Sequence, residues 1–379
     1  MKKYLLSAAV AAVLALPGAA LAQSNEIVIG ITITTTGPGA ALGIPERNSL
    51  DFVAKEIGGV PLKVIVLDDA GDPTTATTNA RRFVTESKAD IIMGSSITPT
   101  SIAVANVAAE ANIPHLGLAP FPITPERAKW SVSMPQPIPI VGKVMYDHMK
   151  KNNIKTVGYI GYSDSYGDLW INDIKNQAVP MGMSIVAEER FARTDTSVTG
   201  QVLKLVATNP DAILVGASGT AAGLPQSALR ERGYKGLIYQ THGAASMDFI
   251  RIAGAAAEGV FMASGPVMDP EDQPDEAQTK RPGLALNKQY EAKYGPRSQF
   301  AGHSYDAFLV LERVVPVALK TAKPGTPEFR EAIRQALLTE REIAASQGVY
   351  NFTEKDRYGV DERSRILLTV KDGKYKLVK

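Results

Sequence analysis

From residue 27 onward the chain repeats one unit, a short and nearly continuous apolar run followed by a helical stretch. Such runs occupy 27–32, 62–67, 90–93 and 114–118. Strands buried on both faces read this way, and parallel strands of one sheet need a crossover of helix length between them. The proline-punctuated Met134-Pro-Gln-Pro-Ile-Pro139 interrupts the series. A second series then follows, with strands at 156–160, 183–187, 212–215, 237–240 and 259–263. Two β/α series divided by a proline-rich crossover predict an α/β protein of two doubly wound lobes.

Local signals add detail. Asp72 and Pro73 have the chemistry of an N-cap and first helical residue, and Gly58-Gly59 is expected to stop a helix that begins near Pro45. The acidic stretch 269–281 reads as a solvated loop. Helical patterns cover 284–294, 304–322 and 327–338, and strands at 349–352, 365–370 and 375–378 complete the tail. Lys371-Asp-Gly373 is a hairpin signal.

Met1 to Ala22 reads as a secretory signal peptide, with Lys2 and Lys3 ahead of an apolar run and Ala20-Leu-Ala22 as the cleavage site. Removing Lys2 and Lys3 leaves 39 of the 41 Lys and Arg, which matches the 39 Asp and Glu. A near-neutral protein with no basic stripe is not built for nucleic acid or an anionic membrane. The chain has no cysteine, so neither disulfides nor a lipid anchor on Cys are expected. A soluble monomer exported to a periplasm fits these features.

The catalytic and cofactor motifs fail on particular residues. Gly37-Pro-Gly-Ala-Ala-Leu-Gly43 follows a strand, and Asp68-Asp69 ends the next one, much as in a dinucleotide fingerprint. The glycine spacing is wrong, however, and Pro38 lacks an N–H that a pyrophosphate would need. Gly302-His-Ser-Tyr-Asp306 opens like a hydrolase elbow, but Asp306 stands where the tight turn requires a small residue. Ser304 is better read as the cap of a helix over 305–322. The histidines at 115, 148, 242 and 303 lack metal-ligand spacing. No catalytic constellation and no cofactor is called for; the expectation is a protein that is not an enzyme.

Several segments in order resemble the periplasmic branched-chain amino acid-binding proteins of ABC importers. They are Ile27-Val-Ile-Gly-Ile-Thr32 with Thr36-Gly-Pro38, Leu67-Asp-Asp-Ala-Gly-Asp-Pro73, and Ile92-Met-Gly-Ser-Ser96 before Ala111-Asn-Ile-Pro114. Ser163-Asp-Ser-Tyr-Gly167, Ala257-Glu-Gly-Val260 and Ser304-Tyr-Asp-Ala307 follow. The resemblance implies a type I periplasmic binding fold with three hinge crossovers near Met134, Ser264 and Ser346. One lobe would hold 26–135 plus 267–345 and the other 136–266 plus 346–379. A small molecule would be captured between them and delivered to permease subunits.

The departures shape the expected ligand. Leu42 stands near the place of a tyrosine that amino-acid binders of the family commonly carry, and Gly71 where one of the family's disulfide cysteines would stand. After the strand at 237–240, Thr241-His242-Gly243 replaces the glutamate that meets a ligand's ammonium. An uncompensated buried ammonium is costly, so an amino acid is disfavoured. Ser96, Thr98 and a helix N-terminus would serve a carboxylate, with His242 as a charge-assisted partner if protonated. Leu42, Ala119, Phe121, Tyr166 and the small residues around Ser218 would form a flat apolar slot. The expected ligand is an aromatic carboxylate such as a benzoate or phenylpropanoid acid. A branched-chain amino acid or amide is the alternative, and a secreted hydrolase the distant one. Each residue has a plainer role open to it: Ser96 and Thr98 as helix caps, Phe121 as core, Tyr166 as hinge packing, His242 as an exposed loop residue.

Overall fold

The computed structural model describes residues 26–378, so the signal-peptide reading lies outside the described residues. The first sheet is built from β1 (Ile27–Ile33), β2 (Glu56–Ile57), β3 (Val60–Asp68), β4 (Ile91–Met93), β5 (His115–Gly117) and β6 (Ser131–Ser133). Its order is β2-β3-β1-β4-β5-β6, parallel except for the hairpin β2–β3. The second sheet begins with β7 (Thr156–Tyr162), β8 (Ser184–Phe191), β9 (Ala212–Gly216), β10 (Leu237–Gln240) and β11 (Phe261–Ser264). The short pair β12 (Ile343–Ala344) and β13 (Val349–Tyr350) stands apart, and β14 (Ile366–Lys371) with β15 (Lys374–Leu377) completes sheet two. The order there is β15-β14-β11-β10-β9-β7-β8, with β14 and β15 antiparallel.

β1 is buried along its whole length, as its unbroken apolar run predicts. Its isoleucines 27, 29, 31 and 33 are each inaccessible to solvent, and each such burial contributes about 1.5–3 kcal/mol relative to exposure. β3 departs from that expectation: Val64 is 36% exposed, because one face of this strand beside the sheet edge is left uncovered near Ile44 and Arg47.

The chain passes between the sheets three times: after β6, after β11, and between β13 and β14. Each sheet also reverses its order beside its first strand, β1 against β4 and β7 against β9. In open α/β sheets that reversal opens a crevice beyond the C-terminal strand ends.

Two local expectations need correction. Gly58 and Gly59 do not end a helix. The helix Ala40–Ser49 carries Pro45 inside it and closes through the turn Leu50–Phe52, so the glycines form the turn of the β2–β3 hairpin at φ 60° and 78°. Ser304 is not a cap either: the long helix runs Gln299–Ala318 from Ser298, whose side chain accepts from the Phe300 N–H. Asp72 does cap the helix Pro73–Thr85, accepting from Thr75 N at 2.7 Å. Asp372 and Gly373, both at positive φ, turn the β14–β15 hairpin. Among the described residues no helix is long and apolar enough to cross a membrane.

Candidate functional site

The loops at the C-terminal ends of the two sheets face each other across a narrow cleft, lined from one side by Leu42, Ser96 and Ala119 and from the other by Tyr166, Ser218 and His242. The lobes touch at its mouth. A Cβ on Gly219 would stand 3.0 Å from Leu42 Cδ1 and 3.2 Å from Ala41 Cβ, and Gly219 also has φ +57°, so this close approach suits glycine.

The wall from the first lobe is mostly apolar. Leu42, Ile97 and Phe300 pack into one small cluster, and Leu118, Ala119 and Pro120 continue it after β5. Ser96 and Thr98 line the cleft, but their hydroxyl protons are committed elsewhere. Ser96 Oγ donates to Glu46 Oε2 at 2.5 Å and accepts from Thr34 N at 2.9 Å. Thr98 Oγ1 donates to the Pro120 carbonyl at 2.7 Å. Neither caps the helix Thr98–Ala111, which follows Ile97 with no side-chain cap. Pro99 lacks an N–H and Ser101 N donates to the Ile97 carbonyl, so the N–H groups of Thr98 and Thr100 are the ones this turn leaves outside the helix ladder.

The wall from the second lobe holds the charge. Arg193, in the loop after β8, has only 12% of its side chain exposed. Its Nε donates to Asp164 Oδ2 at 2.6 Å and Nη1 to Ser218 Oγ at 3.1 Å. Its guanidinium lies over the Tyr162 ring, 4.0 Å from the centroid. A guanidinium has five N–H donors, so three lie outside these two bonds. Asp164 is itself fixed as N-cap of the helix Ser165–Gln177. Tyr166 donates to Thr241 Oγ1 at 2.9 Å, because that hydroxyl's own proton goes to the Ala217 carbonyl. Its ring, rather than its phenol group, is what it offers the cleft.

Two neutral imidazoles complete the site. Burial holds His242 at about 4. Burial, reinforced by the nearby His242, holds His303 at about 3. His242 Nδ1 and both ring nitrogens of His303 have no hydrogen-bond partner. Glu46 lies behind Ser96 with no solvent exposure, its Oε1 3.7 Å from His303 Nδ1. Desolvation raises its carboxyl well above the ordinary value, toward the neutral acid.

The family model described as periplasmic binding protein matches residues 26–369. The chain belongs to the periplasmic binding proteins. This periplasmic binding protein is 80% identical to a solved extracellular ligand-binding receptor of Rhodopseudomonas palustris HaA2, with TM-score 0.93 over 93% of this chain and 100% of the other. Leu/Ile/Val-binding protein homolog 1 of Brucella suis biovar 1 is 26% identical, covering 73% of this chain and 76% of its own length. A solute-binding protein of an R. palustris ABC transporter, solved with benzoate, shares the fold at TM-score 0.78 and 18% identity, over 93% of this chain and 95% of that one. The architecture is the type I periplasmic binding fold.

Of the residues singled out from its sequence, this binding protein brings Leu42, Ser96, Thr98, Ala119, Tyr166, Ser218 and His242 to one cleft. Phe121 is the exception. It is wholly buried, packed beside His115 and under Gly117, while Tyr358 Oη donates to its carbonyl at 2.8 Å. The charge assignment also changes, because a desolvated His242 stays neutral and the cation on this surface is Arg193. Arg193, Phe300 and His303, the apolar Ile97, Leu118 and Pro120, and Glu46 behind the wall were not singled out from the sequence.

Proposed function

We propose that this periplasmic binding protein captures an aromatic carboxylate in the cleft and delivers it to permease subunits of an ABC importer. One observation carries the reading: among the described residues lining the cleft, the one permanently charged side chain is Arg193. The guanidinium donors outside its bonds to Asp164 and Ser218 suit a carboxylate, for which bidentate Arg pairing is strong. Leu42, Leu118, Phe300 and the face of Tyr166 offer apolar surface to a ring. The neutral imidazoles of His242 and His303 can serve a ring hydroxyl or carbonyl without adding charge. The benzoate held by a protein of the same fold agrees with this choice. In the same reading the units 26–135 plus 267–345 and 136–266 plus 346–379 close as rigid bodies in the periplasm, with hinges near Met134, Ser264 and Ser346.

A branched-chain amino acid is the second reading. It is favoured by the Leu/Ile/Val-binding relatives and by the Glu46 carboxyl one hydrogen bond behind Ser96. An ammonium would have to ionise that buried acid and reach it past Ser96.

A thermal-shift panel of benzoate, cinnamate, leucine and valine separates the two. Ligand at about a hundred times its Kd adds roughly 2.7 kcal/mol, a rise of several degrees in Tm. The aromatic acids are expected to give it. A rise with leucine and valine, and none with either aromatic acid, would overturn the proposal.

A further inference from the structure

The second and third crossovers bond directly to the N-terminal half of one helix, and the first joins them through Gln347. At the start of Gln299–Ala318, the Gln299 side chain is fully buried and makes three hydrogen bonds. Its Oε1 accepts from Ser264 Oγ at 3.0 Å and from Gly265 N at 3.1 Å, on the second crossover. Its Nε2 donates to the His242 carbonyl at 2.6 Å, on the loop that lines the cleft. The amide orientation is fixed by its neighbours, since Gly265 N can only donate and the His242 carbonyl can only accept.

The third crossover bonds to the same helix, and the first bonds to the third. Gln347 Nε2 donates to the Gln299 carbonyl at 2.7 Å. Gln136, on the first crossover, donates to the Gln347 carbonyl at 3.3 Å. Asp306, nearly two turns along, accepts from Ser346 N at 2.8 Å and Gln347 N at 2.7 Å. The junction is tightly packed: a Cβ on Gly265 would stand 1.7 Å from Gln347 Oε1 and 2.5 Å from Gln136 Nε2. The same helix presents Phe300 and His303 to the cleft. One element therefore carries part of the ligand wall and the direct anchorage of two crossovers, with the first tied on through Gln347.

We propose that Gln299 is the positioning residue that couples the His242 loop to the hinge and thereby sets how far the lobes stand closed. The inference rests on the solute-binding reading for the purpose of closure, but not on which ligand binds. Its amide is the one side chain of this junction bonded both to a crossover and to a cleft loop. Losing it strands Gly265 N and leaves the His242 carbonyl with Ala245 N alone, so the loop is released from the hinge and the buried N–H left unpaired favours arrangements in which water reaches it.

The test measures the distance between the lobes with no ligand present, so it does not depend on identifying one. The chain has no cysteine, so Thr74→Cys and Thr196→Cys, exposed positions on opposite lobes, give a unique spin-label pair. Gln299→Met keeps the side-chain length and removes every amide hydrogen bond. The expected result is a longer and broader interlobe distance than in the labelled parent, with the same cooperative unfolding. If Gln299→Met does not fold, Ser264→Ala, which removes one of the two donors to Oε1, should move the distance the same way. An unchanged distance distribution in the folded variant would overturn the proposal. Absence of binding by every acid in the panel would instead count against the proposed ligand and leave this result standing.

Discussion

The charge of the site resides in one side chain. Arg193 is oriented by Asp164, stacked on Tyr162 and bonded to Ser218, so it is held in place before any ligand arrives. Arg193→Gln should weaken benzoate or cinnamate binding by about 1.5–3 kcal/mol, the range for a hydrogen bond to a charged group. That is roughly a tenfold to hundredfold rise in Kd by titration calorimetry; a change within twofold would remove Arg193 from the ligand site. This residue was hidden from the sequence for a physical reason. β8 lies at a sheet edge, and its second half, Glu188-Glu189-Arg190, is polar. The apolar pattern therefore ends at residue 187, whereas the strand runs to Phe191 and delivers Arg193 to the cleft. His242 was legible because it follows the apolar strand β10 directly. Its protonation state was not, since burial is a property of the folded molecule.

Among the elements, the long helix shows where local signals mislead. Gly302 and Ser304 look like a turn and a cap, but both lie inside the helix against other elements. Ser304 Oγ donates to the Glu46 carbonyl at 2.7 Å. Asp306, which spoils the hydrolase motif, anchors the third crossover through the N–H groups of Ser346 and Gln347. Burial pushes its carboxyl up to about 7, against the donors that favour its charged form. Asp306→Asn replaces one acceptor oxygen by an N–H₂ facing those donors. It should cost about 1–3 kcal/mol in urea unfolding, the range for stranding a buried polar group; a loss below about 0.5 kcal/mol, the scale of ordinary surface changes, would show that the crossover does not depend on this anchor. The strands themselves were readable from periodicity, because parallel strands covered on both faces leave long apolar runs. The start of this helix was not, because Gln299 and His303 are polar residues that only the folded molecule buries.

At the scale of the molecule, the buried imidazoles make stability depend on pH. The folded-state value of His303, about 3, lies below the ordinary 6.5. As pH falls below about 6.5 the unfolded chain takes up a proton that the folded chain refuses. The contribution of His303 is therefore complete above that pH and is lost progressively as pH falls toward about 3. Asp306, whose value is raised, acts in the opposite sense: its contribution is lost as pH rises toward 7. A difference measurement isolates the histidine. Between pH 7 and pH 5 the stability of His303→Gln, relative to the parent, should improve by on the order of 1–2 kcal/mol in urea unfolding. An equal gap at both pH values would mean that His303 titrates alike in the folded and unfolded chains. The outermost strand of sheet two, β15, bears on how the molecule meets its own copies. A free strand edge offers a row of unpaired N–H and C=O groups to any passing chain. Here that edge alternates Lys374 and Lys376, both exposed, with the half-buried Tyr375 and Leu377. A second molecule approaching edge-on would have to bring its own lysines against these, so β15 guards a crowded population of identical molecules against joining into continuous sheets.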